Sequence, residues 1–172
     1  MQGFRPSFYN EDAALQSIEI LAWAVKQPCF TIMDAKSFFE VQLEGYRDPD
    51  HEISERLRKL LKSGMLVIAE HGALDTQEAI MRAKAKEQEQ KERELQAQGK
   101  KIPQREEDPI GTITLERLLI IKQFLSEIEN NKKKRGRGRP PRLYFTTQAA
   151  AKYVESRADD LAAIAKTRKA KK

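Results

Sequence analysis

The chain has 172 residues, of which 40% are hydrophobic and 34% charged, and its net charge is +6. That length suits one ordinary domain or a small domain with an appendage, and the high charge implies that part of it is solvated helix or tail. Apolar runs such as 118–121 and 65–69 fall far short of the roughly 18 residues that span a bilayer, and residues 1–6 carry neither the apolar stretch nor the cleavage site of a secretory signal, so no membrane contact is expected.

Where the charge sits is more informative than its total. Seven cations lie within 132–142 and five within 166–172, which leaves the other residues at −6. A focused basic segment on an acidic body implies an anionic partner met at a defined place. Cys29, the single cysteine, cannot pair within the chain and fits a reducing cytoplasm.

In chain order, residues 1–10 read as an irregular arm with the aromatic residues Phe4, Phe8 and Tyr9. Asn10 or Asp12 is suited to cap a helix running to about Gln27, whose Leu15, Ile18, Leu21, Ala22 and Val25 recur at threes and fours. Pro28 ends it, and a short apolar segment, 29–33, follows. Asp34 is then expected to cap a second helix that carries Ala35, Phe38, Phe39 and Val41 and stops near Gly45. The third helix, about 49–63, has the cleanest pattern: Ile53, Leu57, Leu60 and Leu61 form one stripe, and His51, Glu55, Arg58, Lys59 and Lys62 lie opposite. Gly64 occupies its C-cap position, and 65–69 reads as a buried strand.

Residues 76–101 predict a charged, Gln-rich, solvent-exposed helix with i,i+4 pairs such as Glu87 with Lys91. Pro103 and Pro109 make 99–111 a linker. A further amphipathic helix, 115–128, carries Leu115, Leu118, Leu119, Ile121, Phe124, Leu125 and Ile128. Its stripe suits either packing within the chain or a dimer interface. After the basic run, 143–146 is a strand, and Thr146 or Thr147 caps a last helix with Ala150, Tyr153, Val154, Leu161 and Ile164. The Lys-rich end, 166–172, reads as a mobile tail that adds unspecific phosphate attraction.

Nothing in this order invites catalysis. His51 and His71 have no ligand-type neighbours at metal spacing, and the acidic residues beside His51 fit a helix start. Gly136 and Gly138 lie between arginines rather than after a strand, so they make no phosphate loop, and no serine sits in a nucleophile elbow. The chain is therefore expected to be no enzyme and to need no metal or other cofactor.

The run 132–142 reads Lys-Lys-Lys-Arg-Gly-Arg-Gly-Arg-Pro-Pro-Arg. Glycine lets backbone approach a surface closely, and arginine presents a planar fork of donors to phosphates and base edges. Gly138-Arg139-Pro140 with its flanking arginines resembles the core of the AT-hook, a peptide of the A/T-rich minor groove. The succession helix, short apolar segment, helix, turn, helix, strand, basic loop, strand resembles a winged helix-turn-helix. Residues 53–66 resemble its third helix and first wing strand. Residues 138–146 most resemble the second wing strand of PadR-type transcription regulators.

The resemblance implies a mainly α fold with a small β-wing, built from 11–70 and 136–165, with 71–135 as a helical insertion between the wing strands. It implies a nucleoid-associated regulator that binds double-stranded DNA as a homodimer. Arg135, Arg137 and Arg139 would enter or straddle the minor groove, Lys132, Lys133, Lys134 and Arg142 would hold phosphates, and Arg58, Lys59 and Lys62 of the third helix would face the major groove. A second expectation is a winged-helix adaptor or assembly protein, in which the polar helix 76–98 of the insertion docks on a protein partner and the basic run meets an acidic surface or RNA. The acidic residues Asp48, Asp50, Glu52 and Glu55, which would repel phosphates from the third helix, motivate it.

Overall fold

The chain is described here by a computed structural model covering residues 15–105, 108, 111–135 and 141–170. Helix α1 (Ser17–Ala24) leads through a turn to strand β1 (Phe30–Thr31), followed by α2 (Ile32–Phe38), α3 (Glu40–Leu43) and α4 (Pro49–Lys62). Strand β2 (Leu66–Ile68) leads into the long helix α5 (His71–Ala97), and α6 (Leu115–Arg135) returns. Strand β3 (Leu143–Thr146), α7 (Gln148–Ser156) and α8 (Ala158–Ala170) complete the order.

The three strands form one antiparallel sheet in the order β1-β3-β2. Phe30 lies opposite Tyr144 on one side, and Val67 lies opposite Phe145 on the other. So β3 is central, and all four of its residues are buried. Its alternation feeds two cores. Tyr144 joins Ile20, Leu21, Phe30, Leu57, Leu60 and Met65 beneath α1, α2 and α4. Leu143 and Phe145 join Ala69, Leu74, Leu118, Ile121 and Leu125 beneath α5 and α6. The mainly α fold with a small sheet agrees with the sequence reading, and the two strands that flank 71–135 do pair.

The local corrections each have a physical reason. Asn10 and Asp12 lie outside the described residues. Helix α1 starts later, at Ser17, where the Glu19 carboxylate accepts from the Gln16 backbone N–H at 2.8 Å, and it ends at Ala24 rather than near Gln27. Thr31, not Asp34, caps the second helix: Thr31 Oγ1 accepts from the Asp34 N–H at 3.4 Å while Asp34 accepts from the Thr31 N–H at 2.9 Å. That reciprocal box starts the helix three residues early and leaves β1 only two residues. The expected single helix to Gly45 breaks at Phe39, whose φ of −98° and ψ of 22° are not helical.

Helix α4 matches the expectation closely. Asp48 Oδ1 accepts from the His51 N–H at 3.2 Å, Pro49 takes the first turn, and Gly64, at φ +77°, turns the chain into β2 in the left-handed conformation that glycine tolerates. The polar helix begins at His71 and ends at Ala97, and as expected is mostly exposed, with only Leu74 buried. Helix α6 is longer than predicted. It continues through Lys132–Arg135, so the basic run begins as helix and not as loop, a position where the macrodipole favours cations. Part of its stripe is used inside the chain, with Leu118, Ile121 and Leu125 buried in the second core, while Leu119 and Phe124 of the same stripe stay 41% and 46% exposed. The last helix is two, broken at Arg157, and the end read as a mobile tail is helical through Ala170. Thr147 is its cap, accepting from the Ala150 N–H at 3.4 Å.

Candidate nucleic-acid interface

The basic run is held at both ends. On one side stands α6, whose Leu125 is buried and whose Ile128 packs against the second core. On the other stands Leu143, 2% exposed, at the start of the central strand. Lys132 is exposed on the last turns of α6, and Arg142 is exposed just before β3. Lys133, Lys134 and Arg135 belong to the helical backbone of α6, while Arg137 and Arg139 lie outside the described residues. Arg142 also edges a recess of about 340 Å³ with Glu70, His71 and Glu129. In it His71 Nε2 lies 2.7 Å from Glu129 Oε1 and links the start of α5 to α6.

The α4 candidates do not join this surface as one patch. Arg58 Nη1 pairs with Glu55 Oε1 at 2.5 Å. Lys59 lines a groove of about 490 Å³ whose far wall is Tyr153, Arg157, Asp160 and Ile164 of α7 and α8. Lys62 is exposed in the last turn of α4. Strand β2 then carries the chain from that turn, beside Thr146, to Ile68 opposite Tyr144, nearer the strand end where Arg142 lies. Lys62 and Arg142 therefore sit at opposite ends of the β2–β3 pair.

The acidic residues expected to repel phosphates are already engaged. Asp48 is the cap, Asp50 pairs with Lys36 of α2, Glu52 with Arg56 and Glu55 with Arg58. Arg56 was not singled out by the sequence, yet it is 5% exposed. Its guanidinium donates to the Leu15 carbonyl, to the Glu52 carbonyl at 2.9 Å, to Glu52 Oε2 at 2.6 Å and to the Tyr46 hydroxyl at 3.0 Å. The Tyr46 hydroxyl in turn accepts from the Leu15 N–H at 2.8 Å, so the latch ties the entry of α1 to the turn before α4. The available signal was spacing: Arg56 follows Glu52 by four residues and interrupts the stripe Ile53–Leu57–Leu60.

On the other side of the sheet, Arg117 donates to the Pro28 carbonyl at 3.2 Å and to Thr146 Oγ1 at 3.0 Å. Lys122 holds Asp75 at 2.7 Å and also Glu78. Gly111, at φ +81°, lies where a Cβ would come within 2.5 Å of Ala151 Cβ, so the linker passes tight against α7 just before α6. Burial, partly offset by Arg117, pushes the Cys29 thiol up to about 11, which keeps it a neutral core group at ordinary pH. Among the described residues no three His, Cys, Asp or Glu side chains could share a metal ion, and no helix is long and apolar enough to cross a membrane. Comparison with protein-family models, curated proteins and solved structures gave no match.

Proposed function

We propose that the chain is a winged-helix regulator that binds double-stranded DNA through the basic segment between α6 and β3. The observation that carries this is the setting of the segment: seven cations occupy the end of α6 and the connector that follows it, a stretch bounded on both sides by residues packed into one core. A dangling tail would give diffuse attraction, whereas a basic stretch bounded by packed residues on both sides would meet an anionic partner at one region of a net acidic body. The sheet order β1-β3-β2, with α2 and α4 preceding β2, supports the winged-helix reading. In this reading β2 and β3 are the wing strands, and α5 and α6 are an insertion that braces the wing.

Arg137 and Arg139 would enter an A/T minor groove, Arg135 would straddle it, and Lys132, Lys133, Lys134 and Arg142 would hold phosphates. Helix α4 contributes less than the resemblance implies, because Arg58 is paired and Lys59 faces α8; Lys62 is its remaining phosphate contact. If the protein acts as a homodimer at an operator, the exposed Leu119 and Phe124 of α6 are available to a second copy. The test is fluorescence anisotropy on A/T-rich and G/C-rich duplexes across a salt series. Seven engaged cations predict a log–log slope of roughly −5 to −6, with preference for A/T duplex. Changing Arg137 and Arg139 to Ala should remove that preference and about one to two units of slope. Equal binding by the two proteins would sink the minor-groove reading.

A second reading, an adaptor, has one observation in its favour. The middle of α5, from Arg82 to Lys91, is exposed on every side and held by pairs along its own length, Arg82–Glu78 and Lys91–Glu87 at 2.9 and 3.0 Å. A helix polar all round is suited to bridging toward a partner. One stoichiometric protein partner lost on deleting residues 82–95, with duplex binding no stronger than a Lys-rich peptide gives, would select it.

A further inference from the structure

We propose that the outward face of α2 and α3 is a docking surface for a cationic amphipathic segment of a protein partner. Ala35, Phe39 and Leu43 turn inward and are buried. The residues on the opposite side of the same two helices include Met33, Phe38 and Val41, which are 59%, 59% and 74% exposed. Three large apolar groups left in water within nine residues are a cost that folding alone does not explain. Single exposed apolar residues need no account, but three on the outward side of two consecutive helices point to a contact surface. The patch has a rigid floor, since Phe38 stacks on Trp23 at 5.4 Å and meets Phe39 edge-on at 4.9 Å.

Two features choose the occupant. The first is size. Three partly exposed side chains leave at most a few hundred Å² of apolar surface between them. A stable dimer buries about 800 Å² on each side, so the patch suits a short segment with two or three anchors at i, i+3 and i+4 better than a second copy of the chain. The second is charge. Asp34, Glu40 and Glu44 lie on the same outward side, and all three are exposed. Glu40 and Glu44 make no hydrogen bond or ion pair among the described residues. The one lysine of this stretch, Lys36, is turned to Asp50 of α4. The next cation, Arg47, follows only after the turn at Gly45. An apolar patch with an acidic rim is complementary to a helix whose apolar anchors are flanked by Lys or Arg, and it repels nucleic acid. The face therefore does not compete with the basic connector, and the inference stands independently of the DNA reading.

Trp23, the chain's only tryptophan, reports on the patch directly. The experiment titrates full-length ¹⁵N-labelled protein with an 18-residue amphipathic peptide of Leu and Lys, and separately with its Leu and Glu counterpart. The expected result is a saturable change in Trp23 emission together with amide shifts concentrated in 33–44. The Leu–Glu peptide should bind at least about tenfold more weakly. The double variant Met33→Ser, Val41→Ser should show the same loss by amide shifts while keeping its melting temperature, because the two side chains are 59% and 74% exposed. Three outcomes overturn the proposal: equal binding of the two peptides; shifts confined to α5 or α7; or concentration-dependent self-association of the wild type that the double variant abolishes, which would make a second copy the occupant.

Discussion

Helix α4 and the connector between α6 and β3 are both crowded with charge, but they use it differently. On α4 the charges are largely engaged in building the fold: a cap, an ion pair to α2, a buried guanidinium latch and an i,i+3 pair. At the connector Lys132 and Arg142 are exposed, and the cations outnumber every acidic residue near them in sequence. A count of charges thus does not locate an interface. Charge that folding has already paired is less available to a partner, since an exposed pair contributes only about 0–1 kcal/mol and quiets the field of both members.

The largest way to break this comparison is to loosen the anchor of the connector. Ile121→Ala, at a fully buried site beneath β3, should cost about 2–5 kcal/mol in urea unfolding. If the loss is below about 1 kcal/mol, α6 is an appendage and the connector is not held as described. Next comes Arg56→Ala, which leaves the Glu52 carboxylate and the Leu15 carbonyl without the guanidinium and should cost about 3 kcal/mol while leaving the salt slope of duplex binding unchanged. A change in that slope would move α4 into the interface.

A smaller effect sharpens the comparison through pH. Asp75 and Glu78 are held below the ordinary carboxylate range, first by hydrogen bonding from Lys122, whose own value is raised by the same contacts. Depressed carboxylates stabilise the fold above their unfolded values near 4 and lose that contribution as pH falls through the folded values. The raised lysine contributes below about 10.4 and loses it as pH rises through its folded value. Lys122→Met should therefore be less stable than wild type on the plateau between, by chemical denaturation, with the gap closing in acid. The smallest effect is on Cys29. With its thiol pushed up to about 11, alkylation of the folded protein at pH 8 should be slow and should quicken on denaturation. Rapid labelling of the native chain would mean that this corner of the second core is open.

Much of this was legible in the sequence where one segment carries its own instructions. Helix α4 has cap, proline, stripe and glycine within seventeen residues, from Asp48 to Gly64, and it formed as written. Strand β1 was not legible as a strand, because two residues carry no period and their partners, Tyr144 and Leu143, lie far along the chain. The break at Arg157 was hidden because neither Gly nor Pro marks it. For the site, the cations were plain, but their pairing was not. Lys36 meets Asp50 only because α2 crosses α4, and Lys59 faces α8 only because β3 delivers α7 and α8 to that side.

The central position of β3 also governs when the fold can form. Strands β1 and β2 do not touch each other; each pairs only with a strand that follows the whole of α5 and α6. The Thr147 hydroxyl closes this arrangement by donating to the Gly64 carbonyl 83 residues earlier. During synthesis, residues 15–68 would leave the ribosome as helices around an empty slot, with both strand edges unpaired until 143–146 arrive. Such long-range closure is slow compared with helix formation and leaves apolar surface in water in the meantime. A chain stopped before Leu143 would therefore yield no half-domain, since neither core would have its middle strand.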